Sequence, residues 1–495
     1  MIHLSDKQKK TNSDEGQVTS NYVQSPSNDE ARTVPTLQNK YTQILRNHWR
    51  RILLILVVFL GGMAVFYFQS SKQTDNKAAT TPSTTEESDL LSGQTFDCEP
   101  IGNDQYFRTD RTFAIDPKDP HTMYINVEHK GFFKSIDGGR TWTLKTKGIK
   151  AYGRKDDPAK PCYAEYPVLV IDPKNSQHLI LALSGTPTTF DTGYTKAGGL
   201  VESWNGGDSW KQMLQGWMNI YVNDIAIDPN DSKIIYYSTT AEPASYIEAD
   251  PNKAYVTKGL IYKTTDGGKT WEELPTGFLK NSSVISLFIN PNNPQEIFAT
   301  TFTAAPHAFD EGRKTDNVEQ MGNLRSLDGG KTWKQEKTLP EDYRAIMNMG
   351  GSTVSPNNYQ NIFVIPASLS TQPPKTFYSM DGGNIFNTAS TYLDSAKFDP
   401  HDLSGNHLLG YYRPYTPGEK PGIWESINAG KTWQRLTDAP KEILADLDHL
   451  QHISNIVWDP QVKTTVYITG AGGYIWKSID SGKNWLVVLS FDKLP

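Results

Sequence analysis

Cysteine is nearly missing from this 495-residue chain: only Cys98 and Cys162 are present. They can form one disulfide and cannot supply a Cys-rich module. A cationic excess is missing too. Residues 96–495 hold 39 Lys and Arg against 46 Asp and Glu, a net charge of −7. Sequence-independent nucleic-acid binding needs a cationic footprint, so no nucleic-acid partner is expected. Neither the usual zinc-ligand spacing nor a calcium-loop pattern occurs, and the sequence predicts no metal and no cofactor. The His-bearing stretch DLDHLQH, with Asp446, Asp448 and His449, is the nearest approach to a metal site. It reads instead as a segment of a short helix with exposed polar residues.

Long apolar runs are missing with one exception. ILLILVVFLGGMAVFYF opens at Ile52 and closes at Phe68 without a charge. It is about as short as a membrane-spanning helix becomes. Arg46, Arg50 and Arg51 precede it, and Lys72 and Lys77 follow it with Asp75 between them. That bias favours an N-terminus inside. The polar stretch before the run is too long for a cleaved signal peptide, and no small-x-small cleavage pattern follows Phe68. The expected organisation is a disordered cytoplasmic tail (1–45), a transmembrane signal anchor (46–69), a flexible stalk (70–95) and a folded extracytoplasmic domain (96–495). The expected location is the cell membrane, crossed once. An oxidising compartment would suit a Cys98–Cys162 disulfide.

Within the folded domain a single octapeptide recurs. SIDGGRTW (135–142), SWNGGDSW (203–210), TTDGGKTW (264–271), SLDGGKTW (326–333), SMDGGNIF (379–386), SINAGKTW (426–433) and SIDSGKNW (478–485) make seven copies. A second pattern precedes each: a β-like run, a turn built around Asp-Pro or its equivalent, and another β-like run. FAIDPKDPHTMYIN from Phe113 is the first of these and IVWDPQVKTTVYIT from Ile456 the last, interleaved one to one with the octapeptides. Each repeat therefore reads as four short strands rich in Val, Ile, Tyr and Phe. One such sheet cannot bury both its faces, whereas seven arranged radially can. The predicted fold is all-β: a seven-bladed β-propeller of four-stranded antiparallel blades, preceded by one transmembrane helix. In each turn the Asp or Asn (Asp137, Asn205, Asp266, Asp328, Asp381, Asn428, Asp480) should accept backbone N–H groups. A following Gly should take a positive φ. The closing Trp should lie against the neighbouring blade.

The octapeptide resembles the Asp-box, or BNR repeat, of sialidases, sortilin-type receptor domains, xyloglucanase-type glycoside hydrolases and photosystem II assembly-factor-like propellers. The resemblance covers roughly residues 110–490 and implies the propeller fold. It implies little about activity, since enzymes and non-enzymes share the turn. A sialidase would by resemblance carry an Arg-Ile-Pro element, which this sequence lacks. A sortilin-type receptor would carry a Cys-rich module after the ring, and two cysteines near the domain's start do not make one.

In up-and-down blades the Asp-Pro turns and the Asp-boxes share one face. The remaining connections share the other, and there the sequence grows inserts: 186–198, 241–258, 303–323 and 413–421, with blade-to-blade inserts at 148–166 and 438–454. Long loops gathered at one end of a rigid scaffold are where binding or catalysis is placed. The candidate ligand-binding residues are Tyr194, Tyr246, Tyr255, His307, Arg313, Arg413, Tyr415 and His449. Asp310, Asp446 and Asp448 are the candidate catalytic carboxylates, because glycoside hydrolysis needs two at a set separation. The expected function is a membrane-anchored binding or assembly module for a protein or polysaccharide ligand. A glycoside hydrolase using two loop-face carboxylates is the alternative.

Overall fold

The computed structural model describes residues 90–96, 112–127, 130–163, 168–183, 199–215, 222–239, 260–276, 282–303, 323–336, 352–365, 375–414, 419–444, 453–470, 473–490 and 493–494. By internal contacts the chain divides into Met1–Ser83 and Thr84–Pro495, and every described residue lies in the second unit. The apolar run 52–68 lies outside the described residues. Among the described residues no helix is long and apolar enough to cross a membrane.

The second unit is a seven-bladed propeller. Blade 1 consists of Phe113–Ile115, Met123–Val127, Gly131–Ser135 and Thr143–Leu144, paired in that order. Six further four-stranded sheets follow with the same consecutive order. Blade 2 runs from Val168–Ile171 to Lys211–Gln215, and blade 3 from Val222–Ile227 to Glu272–Glu273. Blade 4 runs from Ser282–Ile289 to Lys334–Glu336, and blade 5 from Thr353–Val354 to Asn387–Thr388. Blade 6 runs from Ser395–Phe398 to Gln434–Asp438, and blade 7 from Ile453–Trp458 to Leu486–Ser490. All pairings inside the blades are antiparallel. First strands of successive blades adjoin from blade 1 to blade 4 and from blade 5 to blade 7. Second strands are buried throughout, as in Met123–Val127 and Ile235–Thr239, and fourth strands are largely exposed. The closing Trp is the residue before strand four rather than its first, as Trp142 stands before Thr143–Leu144; its indole N–H bonds back to the turn, Nε1 to Gly139 O at 3.0 Å.

The hydrophobic core lies between the blades. Among the described residues it forms seven clusters, one at each seam. The aromatic that closes each Asp-box enters the cluster shared with the preceding blade. Trp210 meets Phe132 of blade 1 edge-on at 4.8 Å, and Trp433 meets Phe363 of blade 5 at 5.2 Å. Phe386 fills the same place at the seam of blades 4 and 5. A large aromatic buried at each seam is what turns seven small sheets into one body.

The ring closes without strand exchange. Phe113 packs on Tyr467 of blade 7 at 5.8 Å, and Trp142 joins Ile475 and Leu489 in one cluster. A latch repeats around the ring at the residue after the turn proline. Lys118 Nζ donates to Lys174 O at 2.7 Å, and Lys174 Nζ to Asn230 O. Asn357 Nδ2 reaches Pro400 O, His401 Nε2 lies 2.7 Å from Asp459 O, and Gln461 Nε2 returns to Lys118 O at 2.8 Å. Each of these reaches onward to the next blade's turn, and the last joins blade 7 to blade 1.

An eighth, three-stranded sheet stands beside the blades. Leu90–Phe96 pairs in parallel with Ala151–Arg154, which pairs with Pro161–Cys162. Six residues of the segment read as stalk are thus strand, because Ala151–Arg154 offers them an edge.

Candidate functional site

The two faces differ in what their polar groups are free to do. In the first Asp-box, buried Ser135 accepts the Gly139 N–H at 2.9 Å and donates to Asp137 Oδ1 at 2.8 Å. Asp137 in turn accepts Thr141 N at 2.9 Å and the Thr141 hydroxyl at 2.6 Å. The same set recurs at Asp266, Asp328 and Asp480, with Asn484 in the Thr place for the last. Asp381, Asn205 and Asn428 accept the corresponding N–H of Ile385, Ser209 and Thr432. The Thr141 and Thr332 side chains hold the Asp137 and Asp328 carboxyls down at about 2, and Asn484 does the same for Asp480. These carboxylates are occupied by their own turns. The Asp-Pro acids are likewise spent: Asp116, Asp172, Asp228 and Asp459 are buried and cap the N–H groups of their turns. Each box also bonds its blade's Asp-Pro turn, as Gly138 N to His121 O and Ser481 N to Thr464 O, both 2.8 Å. Turns and boxes therefore do share one face.

Most of the opposite face lies outside the described residues. Tyr194, Tyr246, Tyr255, His307, Asp310, Arg313, Tyr415, Asp446, Asp448, His449 and Cys98 lie outside the described residues. Cys162 is described; it is buried and disulfide-bonded. Of the short helix expected to include DLDHLQH, Lys441–Leu444 is present and the residues from 445 to 452 lie outside the described residues. Arg413 is the described member of the predicted ligand-binding set, and it sits in a built cluster at one corner of blade 6.

Asp394 directly precedes that blade's first strand, Ser395–Phe398, and Arg413 directly follows its second, Leu408–Tyr412. Both residues thus stand at the loop face. Asp394 N donates to Tyr411 O at 2.8 Å, which brings the two strand ends together. Arg413 Nε then lies 2.9 Å from Asp394 Oδ2, and the Tyr392 hydroxyl donates to Asp394 Oδ1. The adjacent Tyr412 hydroxyl donates to Glu419. Burial pushes the Asp394 carboxyl above its ordinary value, against the pull of Arg413 and Tyr392. Burial and then Glu419 raise the Tyr412 phenol. The corner therefore holds a guanidinium, two phenols and two carboxyls in set positions. Such a set can receive a peptide backbone or the hydroxyls of a sugar. Asp394, Tyr392 and Tyr412 were not singled out from the sequence. The available signal was an Asp and an Arg bracketing one hairpin with tyrosines beside both.

Two further clusters also escaped the sequence reading. In blade 2, His178 Nδ1 lies 3.0 Å from Asp172 Oδ2 and Nε2 lies 3.7 Å from Glu202 Oε2. In blade 6, His407 stands between Asp399 at 2.8 Å and Glu425 at 3.1 Å. Both belong to the Asp-box face and bind strands together. Among the described residues no group of three or more His, Cys, Asp or Glu is arranged to hold a metal ion.

No protein-family model matches the chain. No curated protein matches it in sequence. Solved structures do match its fold. An ancestral GH74 enzyme superposes with a TM-score of 0.51 at 16% identity, covering 76% of this chain and 46% of that one. YCF48 from Cyanidioschyzon merolae gives 0.45 at 13% identity, covering 75% and 96%. The GH74 xyloglucanase from Xanthomonas campestris gives 0.30 at 13% identity, covering 76% and 64%. This chain thus spans less than half the length of the first. At 16% identity the likeness to the first shows the fold alone: a propeller of four-stranded antiparallel blades.

Proposed function

We propose that the chain is a membrane-anchored, extracytoplasmic binding or assembly module. Its propeller engages a protein or polysaccharide ligand through the long-loop face, and residues 52–68 anchor it with the N-terminus in the cytoplasm. The observation that carries the reading is the division of labour between the faces. Acids of the Asp-box face are consumed by their own turns, while the Asp394–Arg413 corner gathers recognition groups that no turn requires. The described strand ends that flank the inserts rich in Tyr, His and carboxylates open on that same face.

One observation favours a second reading, a glycoside hydrolase. A carboxyl raised by burial, as in Asp394, is the property of a general acid, and such a mechanism needs a second carboxylate across a cleft. The ancestral GH74 enzyme shows that this fold has housed an enzyme.

The test is a glycan array and a reducing-sugar assay on the full chain in detergent, with Arg413→Ala and Asp394→Asn beside it. Saturable binding without sugar release, weakened by Arg413→Ala, supports the module. Sugar release abolished by Asp394→Asn establishes the hydrolase instead.

A further inference from the structure

The second position of each Asp-box points outward. Ile136, Leu327, Met380, Ile427 and Ile479 occupy it and are largely exposed, and blade 3 has Thr265 there. The turn accepts any of these, so it does not require an aromatic. Blade 2 nevertheless places Trp204 in this position, 57% exposed.

Trp204 is exposed yet immobilised. Its ring system lies on the His178 imidazole at 3.8 Å and 8°, nearly parallel. Its indole N–H donates to Glu202 Oε2 at 2.9 Å. His178 is itself buried and held by Asp172. With one face covered and the N–H tied, the exposed surface is the opposite face and its edge. Blade 6 repeats the Asp–His–Glu arrangement with Ile427 in place of the Trp, so the histidine clamp does not exist to seat an indole.

The surroundings are polar. Asn205 and Asp208 of the same box are exposed, and the Gln177 side chain lies over Gly206. Among the described residues Trp204 is the single large apolar side chain exposed in blade 2. A protein hot spot would sit within a packed apolar patch. A flat, rigid aromatic standing alone in a polar turn fits a different ligand. A pyranose ring has one face rich in C–H groups and an edge of hydroxyls. The first can bury against the indole, and the second can stay turned to water. Holding the indole in place beforehand removes the entropy cost of ordering it.

We propose that Trp204 is a stacking platform for a hexopyranose residue, forming a sugar-contact site on the Asp-box face separate from the loop face. It stands independently of the loop-face reading. If both sites hold, one long polysaccharide can engage two faces of the ring and gain by effective concentration.

The experiment is a fluorescence titration of the full chain in detergent with cellohexaose, maltohexaose and chitohexaose. Trp204→Ile, the residue blades 1, 6 and 7 carry there, is the test variant, and Arg413→Ala is the loop-face control. The expected result is a saturable change in tryptophan emission with at least one hexasaccharide. Trp204→Ile, folded by circular dichroism, weakens that binding about tenfold, and Ile427→Ala, the same position in blade 6, leaves it intact. A change lost in Arg413→Ala but kept in Trp204→Ile locates the sugar on the loop face and overturns the proposal while sparing that reading. No change with any of the three sugars also overturns it. So does photocrosslinking from position 204 to a protein in native membranes, which would assign this face to a protein partner.

Discussion

Glu202 and Asn205 stand three residues apart at one Asp-box, and the acid at the first position goes with a neutral amide at the second. Glu202 is the last residue but one of strand three, beside His178, and Asn205 occupies the box's acid position. Blade 6 repeats the pair as Glu425 and Asn428. Where the strand residue is Lys134, Lys263, Arg325, Tyr378 or Lys477, the box residue is Asp137, Asp266, Asp328, Asp381 or Asp480. The chain never places two carboxylates at this pair of positions. Neighbouring like charges destabilise each other, and the Asn keeps the acceptor oxygen the turn needs while dropping the charge.

Asn205→Asp should therefore destabilise the protein by roughly 0.5 kcal/mol. Glu202→Gln in the same chain should remove that loss, a coupling that a double-mutant cycle on the denaturation midpoint would measure.

The two histidine clamps set a pH dependence. Burial disfavours charge on His178, but Glu202 and Asp172 outweigh it and raise the imidazole above 6.5. His407 is raised likewise, burial being outweighed by Asp399 and Glu425. A raised histidine contributes stability that is complete below its unfolded value and is lost as pH climbs through its folded value. Asp172 and Glu202 are lowered, burial being outweighed chiefly by His178, so their contribution is present above the unfolded carboxylate range and disappears as pH falls. Stability should peak in mildly acidic solution and decline above 6.5. Denaturation midpoints of His178→Gln and His407→Gln across pH should show a flatter alkaline limb.

Ala429 and Ser481 take positive φ of 58° and 60° where other boxes have glycine. Side chains resist that region. Ala429→Gly and Ser481→Gly should each stabilise the protein by about 0.5–1 kcal/mol, less any gain in unfolded-chain entropy. A fall in the denaturation midpoint would contradict the assignment of strain.

Trp142 seals the seam that closes the ring. Trp142→Ala should cost about 3–5 kcal/mol, read as a lowered thermal midpoint. Gln461→Ala, which removes only the latch to blade 1, should cost roughly 1 kcal/mol.

Cys162 is disulfide-bonded, and Cys98 is the chain's other cysteine. Unreduced, denatured protein should take up no maleimide, and reduced protein should take up two labels. Labelling without reductant would argue against the Cys98–Cys162 bond.

The ring was legible in the sequence because the turns that build it are local. Asp137, Gly139 and Trp142 act within eight consecutive residues, so seven copies announce seven blades. The sequence also indicated that Asp-Pro turns and boxes share a face, which follows from strand count alone. What it did not reveal are contacts between distant segments. Asp394 meets Arg413 only because a hairpin folds them together, and His178 meets Glu202 across two strands. Tyr392 and Tyr412 look like ordinary β-formers until that hairpin is built. The inserts carrying the other candidate site residues have no repeat to align them.

Ligand is proposed to meet the loop face, and Glu419 and Ile427 stand at opposite ends of blade 6's third strand, Gly422–Ser426. A photocrosslinking residue at position 419, compared with one at 427 in native membranes, separates the two faces in a single experiment. Loop-face binding predicts adducts to a protein or polysaccharide from 419 and none from 427. Adducts from 427 alone would contradict it.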